Sequence, residues 1–213
     1  MKIISTNIAK PTTIEWQGQK VETGIYKYAV NNPIFLGFED VVNDHVIDRR
    51  YHGGSDKACY LYSADHYPFW QNKYPNQDWK WGMFGENLTV SGLSESEIRI
   101  GDRFQIGGAV VQVTQPRQPC FKLGVRFGDQ SVVSDFWTLP YPGVYVRVLL
   151  PGEVKTGDEI IRVESNPESL SVSQVFSIFH SKNENHELMQ KAIAEPFIAA
   201  SCRRNIEKLL FQR

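Results

Sequence analysis

From the N-terminus to about residue 163, short runs of strand-forming residues alternate with glycine and proline, and this spacing constrains the fold most. The runs are rich in Val, Ile, Tyr and Thr, which suit a pleated, half-buried surface. The predicted strands are residues 2–6, 24–29, 58–62, 87–90, 103–106, 109–114, 144–150 and 159–163. Gly107-Gly108 predicts a two-residue hairpin turn. Because many short strands follow one another without regular helices between them, the pattern favours a closed barrel or a sandwich.

The hydrophobic period becomes helical towards the C-terminus. Ser171 and Gln174 fit a capping box at the start of one helix. Pro196 is expected to begin a third helix. The N–H groups of a helix's first turn have no acceptor within the helix, so proline, which has no N–H, is tolerated there. We therefore predict a mainly β protein with α, in which residues 1–165 form a β-barrel domain with short helical insertions. Residues 166–213 are predicted to form a three-helix subdomain that docks on the barrel or on a partner.

The charge balance excludes several classes of partner. In 213 residues, 23 Lys and Arg nearly offset 24 Asp and Glu, which leaves a net charge of −1. Nucleic-acid binding or a polybasic membrane contact would need a basic surface instead. No apolar run approaches the roughly 18 residues of a membrane helix, and the N-terminus turns polar too early for a signal peptide. We therefore predict a soluble cytoplasmic protein without nucleic-acid or membrane partners.

The three cysteines are too widely spaced for a zinc ribbon or an iron–sulfur cluster. Cys59 lies on an alternating strand and Cys202 on the apolar stripe of a helix, so we interpret both as core thiols. Cys120 differs, because a loop stiffened by two prolines presents it between Arg117 and Lys122. Nearby cations favour the thiolate, which is the form that attacks or binds metal. The sequence therefore predicts Cys120 as the functional thiol.

Two further segments combine glycine with polar side chains. In residues 48–58, the candidate anion-binding groups are Arg49, His52, Gly53, Gly54 and Lys57. Glycine N–H groups can approach an anion closely and cations add charge, whereas the plain alternative is a solvated glycine-rich connection. In residues 82–89, Glu86, Asn87 and Thr89 offer donors and acceptors at the entrance of a strand; Asn87 is a candidate for orienting a heterocycle, with closing an Asx-turn as its alternative role.

Together, the three segments resemble the MOSC domain, named for the C-terminal domain of molybdenum cofactor sulfurase. The motifs are His-Gly-Gly-x-x-Lys-Ala at 52–58, Phe-Gly-Glu-Asn-Leu-Thr at 84–89 and Gln-Pro-Arg-x-Pro-Cys-x-Lys-Leu at 115–123. The helical tail resembles the three-α domain of the bacterial YiiM-like branch. The resemblance implies that Cys120 ligates the molybdenum of a pterin cofactor (molybdopterin). It also implies an oxidoreductase that reduces small N-hydroxylated compounds, such as hydroxylaminopurines, to the amine.

A molybdenum pterin needs an anion cradle, and the segments above are expected to supply it. The expected cofactor-binding residues are Arg49, His52, Gly53, Gly54, Lys57, Asn87, Thr89, Arg117 and Lys122. His52 or Lys57 is the candidate proton donor. The chain shows no flavin, haem or iron–sulfur signature, so electrons are expected from a separate reductase. Pyridoxal phosphate is not expected, because nothing here could form its domain and Lys57 alone does not support it.

The sequence leaves two other functions open: a non-enzymatic carrier of molybdenum cofactor or sulfur, and a metal-free enzyme with Cys120 as nucleophile and His52 as base. The remaining histidines, at positions 45, 66, 180 and 186, have no partner at metal-ligand spacing and are interpreted as surface or core residues. The aromatic stretch at 67–81 is interpreted as core or dimer contact, with the wall of a purine pocket as the alternative. Whether the tail forms a homodimer interface, covers the barrel mouth or recruits the electron donor stays open.

Overall fold

A computed structural model describes residues 1–47, 53–180 and 185–211 of the protein. Its strands are β1 Lys2–Ala9, β2 Thr12–Trp16, β3 Gln19–Thr23, β4 Lys27–Val30, β5 Ile34–Leu36, β6 Cys59–Ser63, β7 Leu88–Ser91, β8 Arg103–Ile106, β9 Ala109–Pro116, β10 Val144–Leu150, β11 Gly152–Val154 and β12 Ile160–Glu164. Its helices are α1 Tyr67–Lys73, α2 Phe121–Phe127, α3 Ser131–Thr138, α4 Val172–His180, α5 His186–Ala194 and α6 Ala200–Phe211. Two short 3₁₀ turns, Ser55–Lys57 and Ala64–His66, flank β6.

Eight strands form one large sheet in the order β12-β8-β9-β10-β6-β7-β1-β4. Each of the eight predicted strands overlaps one strand of this sheet. The predicted Gly107-Gly108 turn is confirmed, since Ile106 pairs with Ala109 across it. The four strands that were not predicted lie outside the large sheet, in the pairs β2·β3 and β11·β5. The turn between β2 and β3 is formed by Gln17 and Gly18, both with positive φ. The sequence around it is mostly polar, so it did not show the apolar pattern that predicts a strand.

The large sheet curls until β1 meets the residues that lead into β12. The Ile3 N–H donates to the Asp158 carbonyl at 2.9 Å, and Lys2 forms an isolated bridge with Glu159. The contact extends no further because β1 pairs with β4 from Thr6 onwards. The prediction of a mainly β fold with helices is confirmed. The closed barrel is corrected, since the hydrogen-bond ladder is not continuous around the sheet.

An aromatic cluster packs beside the strands β6 and β10. The strands β6 and β7 run parallel, so the chain must cross over between them, and α1 lies in this crossover. Tyr67 and Trp70 of α1 are buried against Phe84, Phe127 and Phe136. The core interpretation of the aromatic stretch is therefore confirmed for Tyr67 and Trp70. The sequence did not predict α2 and α3, which are seven and eight residues long and complete the cluster.

The tail contains the three predicted helices, and the first begins at the predicted capping box. The Ser171 N–H donates to Gln174 Oε1 at 2.9 Å, and the Gln174 N–H donates to Ser171 Oγ at 3.2 Å. The apolar faces of all three helices join the same core as the strands, through residues that include Val172, Met189 and Ile206. The tail therefore docks on the sheet. A domain boundary at residue 165 stays a prediction.

The third tail helix begins at Ala200, so its predicted start at Pro196 is corrected. The Ala199 N–H donates to the Thr114 carbonyl of β9 at 3.1 Å, and the Ala200 N–H donates to the Asp56 carboxylate at 2.9 Å. These bonds to the sheet and the first 3₁₀ turn hold the chain in a non-helical path just before the helix. No helix in the described part of the chain is long and apolar enough to cross a membrane.

Docking of the tail predicts unequal effects for two substitutions on α6. Ile206 is fully buried, whereas Leu209 is 41% exposed. Ile206→Ala should lower the free energy of unfolding by about 3 kcal/mol, because it leaves a cavity in the packed core. Leu209→Ala should change it by less than about 0.5 kcal/mol. Denaturant titration measures both values, and equal losses would show that α6 does not pack through this face.

Candidate functional site

A cleft opens beside the end of β9, where the large sheet meets the segment that follows β5. We call it the main cleft, and the lining residues on which its chemistry depends are Lys27, Asp44, His45, Lys57, Tyr60, Asn87, Arg117, Cys120, Lys122 and Tyr145. The walls enclose about 620 Å³ of space, part of it open to solvent. The structure therefore brings together residues from all three motifs found in the sequence.

Cys120 lies at the junction of the proline-stiffened loop and α2. It is the residue before the helix, with an extended backbone, and its side chain is half-buried. The other two thiols are fully buried. Burial raises the pKa of Cys59 and raises that of Cys202 to about 12, so both stay protonated near neutral pH. Their interpretation as core thiols is confirmed.

Arg117 is the most constrained cation of the main cleft. It is only 5% exposed, and its guanidinium carbon lies 5.3 Å from the ring centroids of both Tyr60 and Phe136. Its Nη1 is buried and has no hydrogen-bond partner among the described residues. A buried donor without an acceptor is unfavourable, and an anionic ligand in the cleft would satisfy it with a charge-assisted bond.

Two lysines add positive charge to the same walls. Lys57 ends the 3₁₀ turn before β6, and Lys122 lies in the first turn of α2, where it is buried. Burial lowers the pKa of the Lys57 amine below its ordinary value, against the opposing effects of Cys202 and Asp56. Besides Lys27, three cationic side chains therefore share the cleft with the thiol.

Asp44 faces these cations, and the sequence analysis missed it. Its buried carboxylate forms an ion pair with Lys27 and accepts the Ala9 N–H at 2.8 Å and Asn87 Nδ2 at 2.9 Å. The Asn87 Oδ1 accepts the Tyr60 N–H at 3.2 Å. The structure thus places Asn87 in the cleft wall as predicted, but its amide already holds Asp44 and β6 in position.

Thr89 does not line the main cleft, and its contact with the cofactor stays a prediction. Its hydroxyl donates to Glu86 at 2.8 Å and accepts from Asn7 at 3.0 Å. Glu86 is fully buried and also accepts the backbone N–H groups of Gly82 at 2.9 Å and Phe84 at 3.1 Å. Thr89 and Glu86 therefore fix the shape of the loop before β7, and Gly85 and Asn87 of this motif line the cleft.

The remaining predicted residues lie near the cleft or outside the described residues. Arg49 and His52 lie outside the described residues. Gly53 and Gly54 precede the 3₁₀ turn, and the Gly54 carbonyl accepts the Lys57 N–H at 2.8 Å. Gly54 has a φ of 92°, which favours glycine. Contact of these four residues with a cofactor stays a prediction.

Two histidines that showed no metal-ligand spacing have different environments. His45 lines the main cleft, with Nδ1 3.0 Å from the Ala9 carbonyl. His66 lies away from the cleft, with Nε2 3.0 Å from a buried Glu95 oxygen and its ring stacked on Tyr141. No spacing signal in the sequence could have found His45, because it reaches the cleft through a long loop after β5.

The fold and the cleft define a small, mainly β protein with one accessible thiol among buried cations. The chain belongs to the MOSC domain family, whose model matches residues 48–161. It is 37% identical over 206 residues to the uncharacterized protein YflK of Bacillus subtilis, with 97% of this chain and 93% of that protein covered. The crystal structure of YiiM from Geobacillus stearothermophilus superposes with a TM-score of 0.83 at 31% identity, over 98% of each chain.

A fungal relative shares this unit within a longer protein. A protein of Gibberella moniliformis named "Reductase" is 30% identical over 182 residues, which are 84% of this chain and 32% of that protein. The YiiM match covers both the sheet and the tail helices. The resemblance to the YiiM-like branch is therefore confirmed.

The ion pair behind the cleft makes a stability prediction. Asp44→Asn should lower the free energy of unfolding by about 3 kcal/mol, because it leaves the buried Lys27 ammonium without its carboxylate. Adding Lys27→Met to Asp44→Asn should recover most of this loss, since the uncompensated charge is gone. Denaturant titration at neutral pH compares the three proteins, and an unchanged Asp44→Asn variant would contradict the predicted role of the pair.

Proposed function

We propose that this protein is a molybdenum-dependent reductase that converts small N-hydroxylated compounds to amines. One observation carries the proposal: the Cys120 thiol shares a cleft with three cationic side chains, of which Arg117 keeps a buried donor without a partner in the described part of the chain. A thiolate is a soft ligand suited to a redox-active metal. The cations complement an anionic group attached to that metal.

The residues of the main cleft fit a molybdenum pterin. Cys120 would ligate the metal as its thiolate. Arg117 and Lys122 would bind the pterin phosphate, because guanidinium and ammonium groups form strong bonds to phosphate oxygens. Asn87, held by Asp44 and Tyr60, gives the wall a fixed shape, which supports orientation of a bound ring.

Reduction of the substrate consumes two electrons and two protons: R–NH–OH + 2 e⁻ + 2 H⁺ → R–NH₂ + H₂O. The N–O bond breaks, and its oxygen leaves as water. The bound molybdenum pterin would supply the two electrons, which we propose come from a separate reductase protein. Lys57 would donate a proton to the leaving hydroxyl. Because burial lowers its pKa, the amine can give up and regain a proton closer to neutral pH than an ordinary lysine.

The comparisons support this proposal at the level of the family. The MOSC domain is a molybdenum-cofactor-binding type of domain. The fungal relative carries the name "Reductase", and the match to YiiM extends through the tail helices. The site adds what the names do not state, namely a thiol and a buried guanidinium in one cleft, and the Nη1 of this guanidinium has no partner among the described residues.

Replacement of the thiol tests the proposal. Protein produced in a host that synthesises the cofactor should contain molybdenum close to one atom per chain, whereas Cys120→Ala should contain none and should not reduce a hydroxylaminopurine. Cys59→Ala is the matched control, because Cys59 is buried in the core, and it should retain both properties. Elemental mass spectrometry and amine formation measure the two.

Three results would contradict the assignment. Full activity of Cys120→Ala would remove the thiol from the mechanism. If the parent protein contains no molybdenum but is active, and this activity depends on Cys120, the result would favour a metal-free cysteine enzyme. Molybdenum in the parent without turnover of any N-hydroxylated compound would favour a cofactor carrier.

The proposed proton donor predicts a pH dependence. Only the ammonium form of Lys57 donates, so kcat should fall as pH rises through its lowered pKa. Lys57→Arg keeps the positive charge but cannot release a proton near neutral pH. It should retain molybdenum, lose about 100-fold or more of kcat and lose the alkaline decline. A decline that persists in Lys57→Arg and disappears in His52→Gln would assign the proton to His52.

A further inference from the structure

We propose that the face of α6 that carries Arg204 and Lys208 is the docking surface for an acidic redox protein, a proposal that rests on the reductase function above. The sequence contains no flavin, haem or iron–sulfur signature, so the proposed reaction takes its electrons from another protein. Electron transfer between two proteins requires close approach of their redox centres, through contacts that are small and transient. The donor must therefore dock where Cys120 can be approached from outside.

The helix α6 forms one wall of a second cleft beside Cys120, which we call the tail cleft. Its lining residues include Lys57, Cys120, Ser201 and Asn205. Arg117, which we expect to bind the anionic cofactor, lines the main cleft and does not line the tail cleft. A cofactor bound in the main cleft would therefore leave an approach to the thiol from the side of α6.

The face of α6 that borders the tail cleft is basic. Four residues are spaced i, i+3, i+4 and i+7 along the helix, so they share one face. They are Ser201, Arg204, Asn205 and Lys208. Arg204 and Lys208 are exposed, and neither forms an ion pair within the part of the chain that the structure describes. Two uncompensated positive charges therefore lie beside the opening to the thiol.

The charge on this face acts at the site itself. Burial lowers the pKa of the Lys57 amine, and Arg204 is close enough to contribute to the shift. The sequence of α6 contains a single acidic residue, Glu207, which is half-buried. Because opposite charges on two partners speed their encounter and orient it, this face suits an acidic partner and would align it with the opening.

Apolar side chains lie on both sides of the opening. Phe211, about one turn beyond Lys208, is 76% exposed. Phe121, the residue after Cys120, stacks on Trp16 with ring centroids 4.9 Å apart. Both of these rings are half-buried. An apolar contact next to charged groups is the usual composition of a protein–protein interface.

A nucleic acid is the other polyanion that a basic helix face could attract. Binding to its phosphates needs a wide basic surface. Here 23 Lys and Arg are offset by 24 Asp and Glu, and the net charge is −1. A localised pair of cations beside a redox site therefore favours a protein partner with a localised acidic patch.

Flavodoxin, a small acidic protein that carries FMN, is a suitable probe for this partner. Each flavodoxin hydroquinone gives up one electron and becomes the semiquinone. Two such molecules, together with two protons, convert one R–NH–OH to R–NH₂ and water. The N–O bond breaks, and both electrons are accounted for.

Reversal of the two charges tests the docking surface on the cofactor-loaded protein. Isothermal titration calorimetry at low ionic strength gives the Kd of oxidised flavodoxin without turnover. Lys208→Glu should raise this Kd about fivefold, and Lys208→Glu with Arg204→Glu about tenfold or more, because attraction becomes repulsion. The differences should shrink in high salt, which screens exposed charges. Lys191→Glu is the matched control, an equal charge change at an exposed position of α5 that lines neither cleft.

Lys208→Glu also allows a test of activity, because Lys208 lines neither cleft. With flavodoxin hydroquinone as donor, the KM for flavodoxin should rise about fivefold, in parallel with the Kd. With saturating reduced methyl viologen as donor, kcat for a hydroxylaminopurine should stay unchanged, because a small dye needs no docking surface.

Equal Kd values in the parent and the double variant would overturn the proposal, as would a parent that does not bind flavodoxin. An equal loss in Lys191→Glu would also overturn it, because the effect would then come from net charge alone. A parent that binds a random-sequence oligonucleotide more tightly than flavodoxin would assign the face to nucleic acid. If the loaded parent reduces no N-hydroxylated compound with either donor, the reductase proposal fails, whereas the calorimetry still decides whether α6 binds an acidic redox protein.

Discussion

The buried carboxylate of Glu86 is the constraint on which the main cleft depends. A fully buried charge is unfavourable unless hydrogen bonds compensate for it, and this one accepts four donors. They are the backbone N–H groups of Gly82 and Phe84 and the hydroxyls of Tyr67 and Thr89. Burial, reinforced by Glu86 itself, raises the pKa of Tyr67, so its phenol stays a donor. The loop between α1 and β7 therefore has one favourable shape. At the end of this loop, Asn87 lines the cleft.

A second carboxylate connects the tail to the same site. Asp56 joins the first turn of α6 to Arg147 of β10, while its carbonyl accepts the Thr114 hydroxyl of β9 at 2.7 Å. The next residue is Lys57, so the residue that holds the start of α6 also holds the turn that carries this amine. The tail therefore contacts the site, although it lies outside the 48–161 segment that the family model matches.

How much the sequence predicted depended on whether the signal was local. The strands of the large sheet were predictable because their buried faces produce alternating apolar residues in the sequence. Cys120, Arg117 and Lys57 were predictable because each lies within a short motif. Asp44 and His45 carried no such signal. They enter the cleft through a loop after β5 whose position depends on long-range contacts with Ala9, and a single sequence does not reveal such contacts.

The helix start misplaced at Pro196 and the buried position of Thr89 have the same physical origin. Proline at the start of a helix is a local preference, and here tertiary hydrogen bonds to β9 and Asp56 outweigh it. Thr89 has the donor and acceptor expected of a binding residue, but the buried Glu86 accepts from its hydroxyl and the buried Asn7 donates to it. A polar side chain in a motif is therefore free to bind a ligand only when the buried charges around it are already compensated. In this protein Glu86 binds Thr89 and Asp44 binds Asn87, whereas Arg117 Nη1 has no hydrogen-bond partner among the described residues, at the place where the proposed anionic cofactor would bind.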